Sequence, residues 1–178
     1  HTRYWRDWSS DVCSSDLTIV RPSAMFGPGD ALFGTLAHLA RLLPVLPLIG
    51  DGRARLQPVY VEDVAEAIAR VLVETGTAGR TYELAGPNVY TMRELSEIVL
   101  RITGRRRFLV PVPFAVAKVQ ARLFELLPSP PLTTGQVDLL KADNVASGSL
   151  PGLRELSIEP KAVEEIVPSY LGPNQSDG

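Results

Sequence analysis

Short β-branched runs alternate with amphipathic stretches along most of this chain, and that alternation restricts the fold more than any other feature. "LTIVRP" is an apolar run ending at a proline, the pattern of a buried strand. "AMFGPGD" reads as a Gly/Pro loop, and a helix is predicted from about Ala31 to Leu43 with Asp30 as its N-cap. "PVLPLIGDGRARLQPVYV" reads as a loop, a Gly-Asp-Gly turn and a short strand. "VEDVAEAIARVLVET" is a helix whose Val64, Ile68, Val71 and Leu72 share one face, with Asp63 placed to cap or steer it. "RTYELAG" is a second buried strand. A helix follows with Thr91 and Glu94 as a capping box and Leu95, Ile98, Val99 and Ile102 as its apolar face. "RRFLVPVP" is a third strand. Helices are predicted after Pro113, near Thr133, and over "SIEPKAVEEIVPSYL" with Pro160 in the first turn, before a disordered tail at 172–178.

Strands that alternate with helices give an α/β architecture with parallel strands. A strand as apolar as "TIV" asks for neighbours on both sides and helices on both faces. Three full strands are fewer than a doubly wound sheet needs. The expectation is an incomplete fold: the C-terminal part of a Rossmann-type doubly wound sheet with a small, mainly helical C-terminal lobe.

Residues 1–17, "HTRYWRDWSSDVCSSDL", stand apart from this pattern. They hold both tryptophans, the one cysteine and one of the two histidines. Asp7, Asp11 and Asp16 interrupt any apolar run, so the stretch is neither a secretory signal nor an acid-poor transit peptide. One choice of codons for it resembles a common short-read sequencing adapter, with an index inside the codons for Tyr4, Trp5 and Arg6. On that resemblance, 1–17 is expected to be adapter-derived and 18–178 to be native, with its domain over 18–171.

Composition removes several classes. Without Arg3 and Arg6 the chain has 18 − 2 = 16 Lys and Arg; without Asp7, Asp11 and Asp16 it has 20 − 3 = 17 Asp and Glu, a net charge of −1 over 18–178. That is no electrostatic footprint for nucleic acid. Arg105–Arg107 is the one basic run, most simply a solvated edge, with a phosphate or lipid headgroup site as the rarer use. With no cysteine and only His38 in 18–178, neither a disulfide framework nor a thiolate or histidine metal cluster is available. No apolar run approaches the roughly 18 residues that span a bilayer.

"TIVRPSAMFGPGD", "LIGDGRARLQPVYVEDVAEAIARVL", "GRTYELAGPNVYTMRELSEIVLRITG" and "LTTGQVDLLKADNV" together resemble the C-terminal half of an atypical extended short-chain dehydrogenase/reductase, NAD-dependent epimerase/dehydratase-like. "LVPVPFAVAKVQARL" and "LTTGQVDLLKADN" narrow the resemblance to bacterial relatives of the nucleotide-binding accessory subunit of respiratory complex I. It covers nearly all of 18–170.

The resemblance implies a parent that binds NAD(P)H in a structural or redox-sensing role, near respiratory or quinone-biosynthesis proteins. The setting it implies is cytoplasmic, peripheral to the inner membrane, with no transmembrane segment and no nucleic acid. The alternative is a nucleotide-sugar epimerase/dehydratase or a small-molecule reductase. Pro22, Ser23, Ala24 and Met25 are the implied cofactor contacts, with backbone donors from Ser23 to Met25 facing a carboxamide. Arg55 and Gln57 are the implied substrate contacts, through a guanidinium fork on a diphosphate; pairing of Arg55 with a surface carboxylate is the competing reading. Related sugar-nucleotide enzymes carry histidine where this chain has Tyr60, and their arginine lies one residue closer to "VEDVA". The chain carries neither the Gly-rich pyrophosphate loop nor the Tyr-x-x-x-Lys pair of the family, so catalytic residues are not assigned, and this chain alone is expected to be inactive and to hold no cofactor tightly.

Overall fold

A computed structural model of the chain describes residues 17–124 and 134–172. The expectations for 1–16, and for the tail from 173 onward, lie outside the described residues. The order of elements is β1 (Ile19–Pro22), β2 (Met25–Phe26), α1 (Ala31–Leu42), β3 (Val45–Ile49), β4 (Arg55–Leu56), β5 (Val59–Tyr60), α2 (Val61–Val73), β6 (Thr81–Leu84), β7 (Tyr90–Thr91), α3 (Met92–Ile102), β8 (Phe108–Val112), α4 (Phe114–Phe124), α5 (Thr134–Leu139) and α6 (Val163–Leu171). A 3-10 turn at Arg154–Leu156 precedes α6. The strands form four two-stranded pairs: β1–β6, β2–β5 and β3–β8 are parallel, and β4–β7 is antiparallel. Parallel pairs joined through helices make this an α/β fold, as expected.

Several elements form for the local reasons the sequence offers. Asp30 caps α1, its Oδ1 accepting from Phe33 N at 2.6 Å. Thr91 and Glu94 complete a reciprocal capping box on α3. Leu95, Ile98 and Val99 are buried from that helix, with Ile102 half-buried. The pairing of β1 with β6, Ile19 opposite Thr81 through Pro22 opposite Leu84, joins the two strands read as buried.

Other elements differ from the sequence reading. Among the described residues there are eight short strands, where the sequence reading has three full strands and one short one, because two-residue ladders carry no periodicity to read. Val45–Ile49, read as loop for its prolines, is a strand. Among the described residues β8 is its one hydrogen-bonded partner, so Pro47 costs no ladder bond if its nitrogen faces the open edge. β1 is less buried than its composition suggests: Ile19 is 39% exposed and Arg21 and Pro22 are exposed, since one flank of the strand is open.

α2 buries only part of the face read: Val64 is buried and Val71 half-buried against the same cluster, but the face is turned toward Ala67. Val64 and Ala67 are inside, while Ile68 and Leu72 are 45% and 80% exposed. Neighbours fix that rotation: Val64 and Ala67 pack with Tyr82, Leu84, Leu153 and Leu156, and the Arg70 guanidinium donates to Leu156 O. Asp63 does not cap the helix; Tyr60 is the N-cap, without a side-chain bond. Pro160 lies before the last helix rather than in its first turn. Lys161 N donates to Asp63 Oδ2 at 2.9 Å, which holds 160–162 extended, and α6 starts at Val163.

Three apolar clusters result. The largest joins α1, α3 and α6 around Phe26, Phe33, Leu95 and Val167. A second lies under β1, β6 and α2, and a third, between α4 and α5, is built on Ala117, Ala121 and Val137. The Tyr170 hydroxyl donates to Asp30 Oδ2 at 2.7 Å and the Tyr90 hydroxyl to Glu164 Oε2 at 2.6 Å, so α6 is tied to the cap of α1 and to β7. Burial, then the bond to Glu164, push the Tyr90 phenol up to about 12.

Candidate functional site

The carboxyl ends of the parallel strands β1 and β6 open into a cleft of about 110 Å³, lined by Arg21, Pro22, Ser23, Glu83, Leu84, Ala85 and the segment Asn144–Ala146. Side chains at such ends converge without completing a ladder, and ligands in open α/β sheets bind there. The cleft's outer wall is a strap, 143–147, that crosses the strand ends.

Four residues hold the strap. Asp143 takes a fork from Arg55: backbone N to Oδ1 at 2.9 Å, Nε to Oδ2 at 2.9 Å and Nη2 to Oδ2 at 2.8 Å. The Arg55 backbone bond, then its side chain, hold the Asp143 carboxyl below the ordinary range. Gln57 binds on both sides of the cleft, its Nε2 donating to Gly86 O at 2.8 Å and its Oε1 accepting from Ala146 N at 3.0 Å. The Ser23 hydroxyl donates to Asn144 O or Oδ1, both at 3.2 Å. Glu83 Oε2 accepts from Ser147 N and Oγ, each at 2.7 Å, and those bonds, hydroxyl first, draw its carboxyl below the ordinary range.

The implied site residues therefore divide. Pro22 and Ser23 line the cleft. The Ser23 N–H is committed to Leu84 O at 2.9 Å, so it is not the free donor expected of it, and Ala24 O accepts from Val59 N. Met25 pairs opposite Val59 and is half exposed. Arg55 carries the carboxylate partner of the competing reading, and Gln57 braces the two walls. Tyr60 is a core residue, 7% exposed, 5.7 Å from the Phe26 ring with Lys161 Nζ 5.0 Å over its own. Burial, then the neighbouring Glu62, raise its phenol.

Asn144, Ser147 and Glu83 were not singled out from sequence. The legible signal is "NVASGS", small polar residues with hydroxyl and amide groups that favour turns, but nothing local shows which strand ends they cover. Chemically the cleft offers carbonyls, hydroxyls, one guanidinium (Arg21) and one carboxylate already engaged by Ser147. It suits a small polar group such as an amide. Ligand pockets run to about 300–1,000 Å³, so this cleft of about 110 Å³ is too small to enclose a whole dinucleotide. No group of three or more His, Cys, Asp or Glu among the described residues is arranged to hold a metal ion.

The model of the NAD dependent epimerase/dehydratase family matches residues 2–85, a span that begins inside the atypical stretch 1–17. NADH dehydrogenase [ubiquinone] 1 alpha subcomplex subunit 9, mitochondrial, from Arabidopsis thaliana is 34% identical over 175 residues, covering 89% of this chain and 44% of that protein. The chain is NAD-dependent epimerase/dehydratase-like. The subunit of the same name from Rattus norvegicus is 35% identical, covering 84% of this chain and 40% of its own length. The chain thus spans less than half the length of these curated relatives. Among solved structures, a nucleoside-diphosphate-sugar epimerase from Staphylococcus aureus has TM-score 0.63 at 21% identity, covering 84% of this chain and 50% of that one. A dTDP-glucose 4,6-dehydratase from Streptomyces venezuelae, with NAD and TYD bound, has TM-score 0.61 at 22% identity, covering 88% and 42%. These structures share the Rossmann-type fold with this epimerase/dehydratase-like chain, and the curated relatives it resembles at about one third identity are named as complex I subunits.

Proposed function

We propose that this epimerase/dehydratase-like chain is the C-terminal part of a protein that binds NAD(P)H as a structural or redox-sensing ligand in a respiratory or quinone-related assembly, at a membrane-peripheral position. The observation that carries it is the identity of about one third with complex I accessory subunits across most of the chain. The cleft supports it, because Pro22 and Ser23 sit at strand ends where a nicotinamide carboxamide can be met, with Met25 just beyond. When bound, the dinucleotide supplies hydride chemistry; this chain's own residues orient one end of it and cover that end with the strap. No helix among the described residues is long and apolar enough to cross a membrane, which suits peripheral attachment.

The alternative, a nucleotide-sugar epimerase/dehydratase, draws on the family model and on the solved structures. The Arg55 fork on Asp143 and the buried Tyr60 weigh against it. The test is to express the reading frame extended upstream on adapter-free sequence and titrate it with NADPH. Binding without turnover of nucleotide sugars is the expected result. Turnover that depends on an upstream Tyr-x-x-x-Lys pair would replace this reading with the alternative.

A further inference from the structure

Two segments distant in sequence meet at the amino-terminal end of the β3–β8 pair. Val45 lies opposite Phe108 and Pro47 opposite Val110. Strand side chains alternate, so these four share one face, while Leu46 and Leu48 point the other way into buried surroundings. Arg107 Nε donates to Ala40 O at 3.1 Å, which pins the Arg105–Arg107 run against the end of α1. Exposed apolar side chains gather at this end of the pair and in the turn that leads into it: Phe108 is 81% exposed, Leu42 66%, Val110 42%, Val45 39% and Leu43 38%. Arg41, Arg105, Arg106 and Arg107 flank those side chains in the chain. Among the described residues, none of these four arginines has a carboxylate partner. The chain as a whole has a formal charge of −2, so this is a local concentration of positive charge.

We propose that this face is a docking surface for an anionic phospholipid bilayer, with Phe108 and Leu42 entering the headgroup–acyl boundary and the arginines on lipid phosphates. Charge complementarity selects the occupant. Four guanidiniums without a carboxylate partner among the described residues, one of them already on the Ala40 carbonyl, lie beside projecting apolar side chains, and a membrane meets both needs, because it presents phosphate above hydrocarbon over its whole surface and demands no shape complement. Interfacial binding of this kind grows with the apolar area buried and with attraction to anionic lipid. Each basic residue close to such a surface strengthens binding by about fivefold. The inference deepens the membrane-peripheral part of the proposed function and is independent of its cofactor part.

Vesicle flotation with the 178-residue chain tests it, using neutral phosphatidylcholine vesicles and the same lipid with a third of phosphatidylglycerol. The chain is expected to float with the anionic vesicles only, and to be released by high salt. Phe108→Asp and the double variant Arg105→Glu/Arg106→Glu should each abolish flotation, the latter by well over the roughly 25-fold that two lost cations give. Arg154→Glu, on an exposed pair elsewhere, should float normally; circular dichroism checks that all variants are folded. Absence of flotation with anionic vesicles, equal flotation with neutral ones, or indifference to both patch variants overturns the proposal. Salt-sensitive binding to polyglutamate without vesicle binding also overturns it, in favour of an acidic protein partner. NADPH titration of the longer protein is unaffected by any of these outcomes.

Discussion

Gln57 shows how a single side chain can be structural where its position suggests ligand contact. Its amide satisfies Gly86 O on one wall of the cleft and Ala146 N on the other. Gln57→Ala leaves both without a partner, at about 1 kcal/mol for each bond; urea unfolding should show a loss near 2 kcal/mol. Gln57→Glu should do no better, because it turns an acceptor toward the Gly86 carbonyl. Glu83 adds a pH dependence. Its folded pKa lies below the ordinary 4.5 because Ser147 donates to the carboxylate. The bonds it makes therefore add stability in full above 4.5, and that contribution is lost as pH falls through the lower, folded value. Exchange protection of the Ser147 amide should drop in acid in the wild type, whereas Glu83→Gln should lack that pH step. Unchanged protection across that range would mean that the strap is held without Glu83.

Elements in this fold depend on close backbone approach as much as on side-chain packing. A Cβ at Gly86 would lie 1.9 Å from Pro58 O, backbone against backbone, where no rotamer can yield. Gly86→Ala should cost at least the upper end of about 1–3 kcal/mol for overpacking and separate β5 from the loop after β6. Gly34, inside α1, has a helical backbone and open space, with nothing within 4 Å, where an alanine methyl would stand. Gly34→Ala should raise stability by about 0.5–1 kcal/mol, since alanine loses less backbone entropy on helix formation. Thermal melts of the two variants should move in opposite directions. α6 depends on its tyrosines: Tyr170→Phe removes the bond to Asp30, which also caps α1, and should cost about 1 kcal/mol. A Tyr170→Phe melt equal to wild type would show that α6 is held by its apolar face alone.

At the scale of the whole molecule the cofactor sets the sharpest expectation. Most of a dinucleotide's binding free energy comes from its pyrophosphate on a helix N-terminus behind a glycine loop, and the sequence carries no such loop. One or two neutral hydrogen bonds at the cleft are worth about 0.5–1.5 kcal/mol each, against an association cost of about 4 kcal/mol or more. Calorimetric titration of the 178-residue chain with NADPH should therefore show no saturable binding in the micromolar range. A low-micromolar dissociation constant, about −8 kcal/mol, would place a complete nucleotide site in this part of the fold. The proposal that 1–17 is adapter-derived predicts that peptides spanning "DWSSDVCSSDL" are absent from the source proteome while peptides from 56–70 are found.

The sequence by itself determined what rests on neighbours in the chain. Asp30 and Thr91 cap helices because a cap needs only the next three residues, and the apolar face of α3 is legible because its period is local. The α/β class follows from the alternation of such elements, and the resemblance to the epimerase/dehydratase family from the quoted motifs. The tertiary structure decided what depends on partners far along the chain. Whether "VLPLI" is strand or loop depends on β8, sixty-three residues on, offering a ladder. Which face α2 buries depends on 153–158. Asp63 leaves capping for a bond to Lys161, and Arg55 and Gln57 turn to the strap at 143–146, because charge and hydrogen-bond partners are satisfied by proximity in space. No pattern around residue 55 records that Asp143 will be there.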